Sequence, residues 1–426
     1  MLVEFSVENY KSFKDRATLS MVAAKIKSED PELDADAVIA ATPELDLLRC
    51  AGIYGANASG KSNLVKALEF MRYFVENSTS DAIKRTVIPT ERFKLSALTV
   101  QEPSSFEVVF RHNSTQYRYG FEVTPTKVVS EWLFHTAKKK ENRLFLRQEQ
   151  INAEGLLRED GPIFEARTLP NALFLSVLAQ FNNPIAQDVL AWFGKLNIST
   201  DNQKTFRDQV VPYLRDVSKT SRINSLVTQF DLSLERVGTH DLAALERIFS
   251  DITDGEQKKK AFDTVANRVL AFHTFFNENG DPSDAVVFDS EVSESEGTRK
   301  LIVLSGIIDD VLTQSGVFVI DELDAKLHPL MTRAIVQLFN QASTNPNGAQ
   351  LVFVTHDTNL LDKSLLRRDQ IWFAEKDKFA STHLVSLVEF KPRNDAAYEK
   401  NYLQGRYGGI PFLGDITRLP GVADAQ

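Results

Sequence analysis

Eight residues, Gly55-Ala56-Asn57-Ala58-Ser59-Gly60-Lys61-Ser62, constrain this chain more than any other stretch. They follow an apolar run at 47–54 that reads as one buried strand, and a helical pattern continues from them to about residue 76. Strand, glycine-rich turn and helix in that order make a phosphate loop of the form G-x-x-x-x-G-K-S. Glycines let backbone N–H groups approach phosphate oxygens. Lys61 adds a point charge toward the β- and γ-phosphates, and the Ser62 hydroxyl can ligate Mg2+. The helix start adds the positive end of its dipole. A turn that merely joins strand to helix is the plain alternative, and the flanking pattern argues against it. Gly55, Asn57, Ser59, Gly60, Lys61, Ser62 and Asn63 are the candidate nucleotide-binding residues.

Three further segments carry chemistry that fits such a loop. Residues 317–322, Val-Phe-Val-Ile-Asp-Glu, are a continuous apolar run ending in two carboxylates. Such a run suits a parallel strand covered on both faces. Asp321 can hold Mg2+ at the strand's end, and Glu322 can orient or deprotonate an attacking water. A solvated strand end is the alternative for the pair in isolation, and the phosphate loop in the same chain favours function. His356 follows another apolar run, at 351–355, where a neutral imidazole can donate to a γ-phosphate. A lone histidine there is more often structural. Ser295-Glu296-Gly297 opens a helical pattern at 297–312, with Leu301, Leu304, Ile308, Val311 and Leu312 three or four apart. A helix start suits phosphate, and Ser295 by itself reads first as an N-cap.

The remaining pattern is that of an α/β fold. Residues 2–7 alternate as a strand, 17–22 resume an apolar pattern, and the acidic stretch 25–45 reads as a connection. Phe106, Val108, Phe110 and then Tyr117, Tyr119, Phe121, Val123 alternate, so 106–139 is β-rich, with a further strand at 143–147. Helical patterns occupy 172–180, 185–193, 242–252 and 330–339, and short strands 286–288, 351–354 and 371–373. The expected division is an N-terminal half at 1–155, a mainly helical insertion at 156–284, and a C-terminal half at 285–426. No fixed-period repeat or sustained heptad run is present.

Composition narrows the function classes. Of 426 residues, 43% are hydrophobic and 25% charged, which excludes disorder as the main state. The single Cys50 excludes a disulfide framework and a cysteine zinc site, and the 7 histidines show no ligand spacing. Apolar stretches such as 301–311 are short and interrupted by Asp309 and Asp310, so no membrane span is expected. An acidic Glu4 stands where a signal peptide would be basic. A cytoplasmic setting is the expectation. The net charge of −9 argues against a surface that coats nucleic acid, and leaves a local basic groove open. The runs Lys138-Lys139-Lys140 and Lys258-Lys259-Lys260 read first as solvated charge patches.

The order of phosphate loop, Ser-Glu-Gly helix start, Asp-Glu strand and histidine resembles that of ABC-type ATPases. Ser295-Glu296-Gly297 looks like a divergent ABC signature that lacks the Leu-Ser-Gly-Gly-Gln form, and Leu323-Asp324 resembles the D-loop. Glu8-Asn9-Tyr10-Lys11-Ser12-Phe13 is similar to the N-[FY]-K-S-F opening of RecF, SMC and OLD heads, which transporter ATPases lack. Phe93-Lys94-Leu95, Tyr117-Arg118-Tyr119-Gly120-Phe121, Glu131-Trp132-Leu133, 321–329 and 402–411 resemble AAA-family ATP-binding proteins of bacterial phage-defence operons, the OLD-like group that includes RloA and AriA. No glutamine is placed as the Q-loop.

The resemblance implies an ABC-type P-loop ATPase head with a β-rich lobe, ATP and Mg2+ as cofactors, and Lys61, Glu322 and His356 as catalytic residues. It implies a head-to-tail dimer or a higher homo-oligomer, each ATP lying between Lys61 of one copy and Ser295 and Gly297 of another. A TOPRIM nuclease domain of the full-length OLD kind is missing from the sequence. Nuclease or toxin activity is therefore expected of a neighbouring-gene effector, with this chain as sensor or regulatory scaffold. A RecF-like DNA clamp is the alternative. A scaffold that never hydrolyses ATP is disfavoured by the intact Asp321 and Glu322. Residues 402–411 either dock a partner or pack the C-terminus.

Overall fold

The computed structural model describes residues 1–84, 87–137, 140–200, 206–230, 233–393 and 395–411. The alternating opening forms β1 (Leu2–Glu8), antiparallel to β2 (Ala17–Ser20). The acidic stretch expected as a connection holds a short helix, α1 (Pro31–Asp36), and a hairpin of β3 (Val38–Thr42) and β4 (Leu45–Leu48). Asp30 caps α1 by accepting from the Glu32 N–H, and Pro31 fills a first-turn position where no N–H is needed.

The run at 47–54, expected as one strand, breaks at Arg49. There the backbone N–H donates to Ala37 O, and the buried guanidinium donates to Asp36 O and Asn345 O, both at 2.7 Å. Only β5 (Cys50–Tyr54) continues into the central sheet. The helix after the phosphate loop, α2 (Lys61–Lys84), outruns the expected end because its buried stripe of Leu64, Leu68, Met71, Val75 and Ser78 keeps the helical spacing.

Five strands follow as a meander: β6 (Ser104–His112), β7 (Thr115–Val123), β8 (Val128–Ala137), β9 (Lys140–Arg147) and β10 (Ile151–Ala153). With β1 and β2 they make a seven-stranded sheet ordered β10-β9-β8-β7-β6-β1-β2. Its inward aromatic residues meet α2, with Phe70 4.9 Å from Phe106 and Phe74 5.4 Å from Phe121. Lys138 and Lys139 lie outside the described residues.

Residues 156–284 hold strands as well as helices. α3 (Asp160–Glu165), α4 (Phe174–Gln180) and α5 (Pro184–Gly194) close over the β-rich lobe, where Trp192 stacks 4.1 Å from Phe110. β11 (Leu196–Ser199) joins the central sheet. α6 (Phe206–Leu214), α7 (Val217–Phe230), β12 (Leu234–Thr239), α8 (Leu242–Ile248), α9 (Gly255–Ala266), β13 (Val269–Phe276) and β14 (Pro282–Asp289) follow, and β12, β13 and β14 form an antiparallel sheet. β14 contains the short strand expected at 286–288, whereas β12 and β13 hide from a sequence reading because only short alternations, such as buried Val269 and Ala271, mark them. Lys259 and Lys260 lie exposed on α9.

The chain then returns to the central sheet. α10 (Ser290–Ser293) and α11 (Glu296–Gln314) lead to β15 (Val317–Ile320), α12 (Pro329–Asn340) and β16 (Gln350–Val354). β17 (Ile371–Lys376), β18 (Thr382–Ser386) and α13 (Tyr398–Leu403) complete the described fold. The central sheet runs β11-β15-β16-β5-β17-β18, parallel throughout except for β18. Alternate residues of each strand enter opposite cores. Ile53, Val319 and Val352 face α2, while Tyr54, Phe318 and Phe353 face α11 and α12. The fold is thus α/β, with a mostly parallel six-stranded sheet between helices and a seven-stranded antiparallel sheet beside it. Among the described residues, no helix is long and apolar enough to cross a membrane.

Arg49 offers a test of how the sheet is anchored. Arg49→Met removes the guanidinium hydrogen bonds to half-buried Asp36 O and to buried Asn345 O, at an expected cost of about 1–3 kcal/mol. The denaturant midpoint should fall with an unchanged slope, whereas an unchanged midpoint would contradict the anchoring.

Candidate nucleotide site

The parallel order puts the carboxyl ends of β5, β16 and β15 on one edge, where open α/β sheets bind ligands. From Tyr54 the chain turns through residues 55–60 into α2. Gly60 has φ +105°, and a Cβ there would lie 2.1 Å from Thr382 Oγ1 and 2.7 Å from Ser12 Oγ, so only glycine fits. The Thr382 hydroxyl lies 2.8 Å from both Ser59 O and Ser12 Oγ, and the Asn63 amide donates to Ser12 Oγ at 2.7 Å. The loop is thus braced by the N-terminal Lys-Ser-Phe turn and by β18, both remote in sequence. Asn63, expected to face nucleotide, spends its amide on this brace. Asn57 is exposed at the tip, while Gly55 and Ser59 are buried. The Ser59 hydroxyl is buried with no hydrogen-bond partner, a polar group waiting inside a cradle of backbone N–H groups.

Lys61 folds back over the loop, its Nζ donating to Gly55 O at 2.7 Å and Ala56 O at 3.0 Å. Burial lowers its pKa to about 8, against the opposing pull of Asp321, Asp324 and Glu322. The Ser62 hydroxyl donates to Asp321 Oδ1 at 3.1 Å. This contact joins the start of α2 to the end of β15. It presents two hard oxygen donors of the kind Mg2+ takes. Among the described residues no three His, Cys, Asp or Glu side chains cluster as a metal site, so a cation here would complete its shell from phosphate and water.

Asp324 ties the D-loop to the histidine strand. Its carboxylate accepts from the Thr355 hydroxyl at 2.7 Å and from the His356 N–H at 3.2 Å. The His356 side chain is exposed at the same edge. Partial burial, and then the Lys61 cation, lower its pKa and favour the neutral ring near pH 7. Glu322 adopts left-handed φ +51°, a conformation that non-glycine residues keep chiefly where the surroundings enforce it. Lys300 enforces it here, donating to Glu322 O and Ala325 O, both at 2.8 Å. The Glu322 carboxylate is left exposed, with no hydrogen bond among the described residues.

Ser295 caps α11, its hydroxyl accepting from the Thr298 N–H at 3.1 Å, as its residue type predicts. A Cβ on Gly297 would lie 2.6 Å from Lys326 O, so glycine lets α11 sit directly on the 322–326 loop. Neither Ser295 nor Gly297 hydrogen-bonds to residues 55–62 within the described chain. The structure therefore brings Lys61, Ser62, Asp321 and His356 to one edge, with Ser295 and Gly297 packed behind the D-loop.

Sequence reasoning missed Thr382, Lys300 and the bracing role of Ser12, because each acts through a tertiary contact with no local pattern. It also missed β11, too short to separate from neighbouring helices. The Asp321 N–H donates to Ser199 O at 3.0 Å, so the chain leaves β11 at Thr200 beside the carboxylate pair. Residues 201–205 lie outside the described residues.

The Lys61 environment carries a proton-linkage prediction. Its ammonium is partly discharged above about pH 8 without ligand, and phosphate oxygens would restore the charge. ATP binding at pH 8.5 should take up a fraction of a proton, measured by calorimetry in buffers of different ionisation enthalpy. Lys61→Arg, always charged, should abolish that uptake. Equal uptake in both proteins would contradict the assigned environment.

Comparison with known proteins adds a family to this geometry. Two similar solved structures are the SMC head domain from Thermotoga maritima and an SMC head bound to the C-terminal winged-helix domain of ScpA. The first is 12% identical with a TM-score of 0.39, covering 90% of this chain and 98% of that one. The second is 12% identical with a TM-score of 0.36, covering 90% and 97%. Among curated proteins none matches. Residues 50–362 match the family model described as "AAA domain, putative AbiEii toxin, Type IV TA system". That span runs from the start of β5 past His356, and the chain belongs to this AAA-domain ATPase family.

Proposed function

We propose that this chain is an ATP-hydrolysing ABC-type module that pairs head-to-tail with a second copy. The observation that carries the reading is the Ser62–Asp321 contact at 3.1 Å, with Lys61 alongside. Backbone N–H groups of 55–62 would hold the β-phosphate, helped by the Ser59 hydroxyl, which is otherwise unpartnered. Lys61 would leave Gly55 O and Ala56 O for phosphate oxygens. Ser62 and Asp321 would hold Mg2+, which supplies charge neutralisation across the β- and γ-oxygens. Glu322 would accept a proton from water as the water oxygen bonds to the γ-phosphorus and the bond to the ADP oxygen breaks. Neutral His356 would steady the γ-phosphate. Ser295 and Gly297 of the second copy would close the site, which accounts for their separation from the phosphate loop within one chain.

The biological role we propose is a cytoplasmic regulator in anti-phage defence that holds or releases an effector of nuclease or toxin type. The family description names a putative toxin of a toxin–antitoxin system, and the regulator role rests on the sequence resemblance to phage-defence ATP-binding proteins.

Glu322→Gln is the decisive variant. It should keep ATP affinity within a few-fold, slow hydrolysis at least about a hundredfold, and shift the molecular mass to that of a dimer in Mg-ATP. Hydrolysis at the wild-type rate would remove Glu322 as the base. A variant that stays monomeric with ATP bound would remove the paired site. Nucleic acid held at low salt and lost steeply as salt rises would favour the DNA-clamp alternative.

A further inference from the structure

The C-terminal segment touches both halves of the site. A Cβ on Gly409 would sit 3.4 Å from the Cα of Gly55, the first residue of the phosphate loop, and 3.7 Å from Phe373 Cβ. Gly409 has φ +65°, which any side chain would strain. Its carbonyl accepts from the buried Tyr402 hydroxyl at 3.0 Å. The Tyr402 ring stacks on Phe373 at 5.2 Å and meets Tyr54, the residue before the loop, edge-on at 6.4 Å. From the same helix, Glu399 accepts from the Thr358 hydroxyl at 2.7 Å, two residues past His356. One short segment is therefore fixed to the residues flanking the phosphate loop and to the turn that follows the histidine.

Two buried polar atoms belong to residues beside these anchors. The Tyr54 hydroxyl and Asp357 Oδ2 are both buried without a hydrogen-bond partner. Buried orphans of this kind are rare. Tyr54 meets Tyr402 and Asp357 precedes Thr358, so each lies next to one anchor of the segment.

We propose that residues 398–410 are a positioning strap for nucleotide hydrolysis: Tyr402 and Gly409 hold Gly55 in place for phosphate binding, and Glu399 holds the His356 turn in place for the reaction. The proposal rests on the nucleotide reading above and adds to it the residues that keep its two halves in register. It also makes the Gly-Arg-Tyr-Gly-Gly run at 405–409 part of the site, where the sequence left it as a loop of open purpose. The strap residues touch no phosphate themselves and act through Gly55 and His356.

The two anchors separate in kinetics. Tyr402→Phe removes only the hydroxyl and should raise the ATP dissociation constant roughly fivefold, the factor carried by one ordinary hydrogen bond, with kcat within twofold. Gly409→Ala should raise it further. Glu399→Ala should lower kcat roughly fivefold with ATP affinity unchanged. Thr358→Val should reproduce that effect, and the Glu399→Ala/Thr358→Val double variant should fall no further than either single one. Dissociation constants come from calorimetry with Mg-ATP, kcat from steady-state turnover, and thermal midpoints without nucleotide accompany both. Variants that change affinity and kcat by one common factor, tracking the loss in midpoint, would overturn the strap and leave a merely structural segment. Unchanged affinity in Tyr402→Phe and Gly409→Ala would overturn it as well. Wild-type protein that binds no Mg-ATP would instead overturn the nucleotide reading on which the strap depends.

Discussion

The site depends on β16 pairing in parallel with β5 on one side and β15 on the other. That pairing alone brings Gly55, Asp321 and His356 to the same edge from positions far apart in the chain. It is secured by buried apolar strands whose alternate residues enter two separate cores, so a one-residue slip would exchange the two faces. The N-terminal strand is tied to the same frame. The Gln350 side chain at the start of β16 accepts from the Leu2 N–H at 2.6 Å and donates to Leu2 O and Leu48 O at 3.0 Å. One buried amide therefore ties the first strand of the β-rich lobe to the central sheet.

Charge at the edge is unbalanced in a way that suits a phosphate ligand with its cation. Asp321, Glu322 and Asp324 act on Lys61, whose ammonium is held down by burial and turned toward backbone carbonyls. Asp324 is spent on Thr355 and the His356 N–H, which leaves Asp321 and Ser62 as the pair with oxygens at hand. The α11 helix supports this edge from behind. Lys300 holds the loop after Asp321 through its carbonyls, and Gly297 permits the contact with Lys326 O. The α11 helix and the carboxylate loop are thus one packed unit.

Much of this was legible in the sequence because it rests on local pattern. The Gly55–Ser62 spacing, the apolar run ending at Asp321 and the run ending before His356 each name a strand end and the residues on it. Ser295 read correctly as an N-cap from its type and place. The parts that stayed hidden rest on contacts between distant segments. Nothing near Arg49 announces that its guanidinium will cap two carbonyls and split an apolar run into two strands. Thr382 and Lys300 carry no motif. β12 and β13 stayed hidden because buried and exposed positions alternate only briefly along them, and β11 is only four residues long. The tail at 402–411 looked ordered from its glycines and aromatic rings, while its seat beside Gly55 required the fold.

The central claim is that Ser62 and Asp321 together make this edge a Mg-nucleotide site. The most direct measurement is ATP affinity by titration calorimetry, with and without Mg2+, in the wild type and in Asp321→Asn. The account predicts that Mg2+ tightens ATP binding in the wild type by tenfold or more, and that Asp321→Asn loses most of that gain while its Mg2+-free affinity is nearly unchanged, on the order of the strength of one charged ligand contact. An equal Mg2+ dependence in both proteins would contradict it.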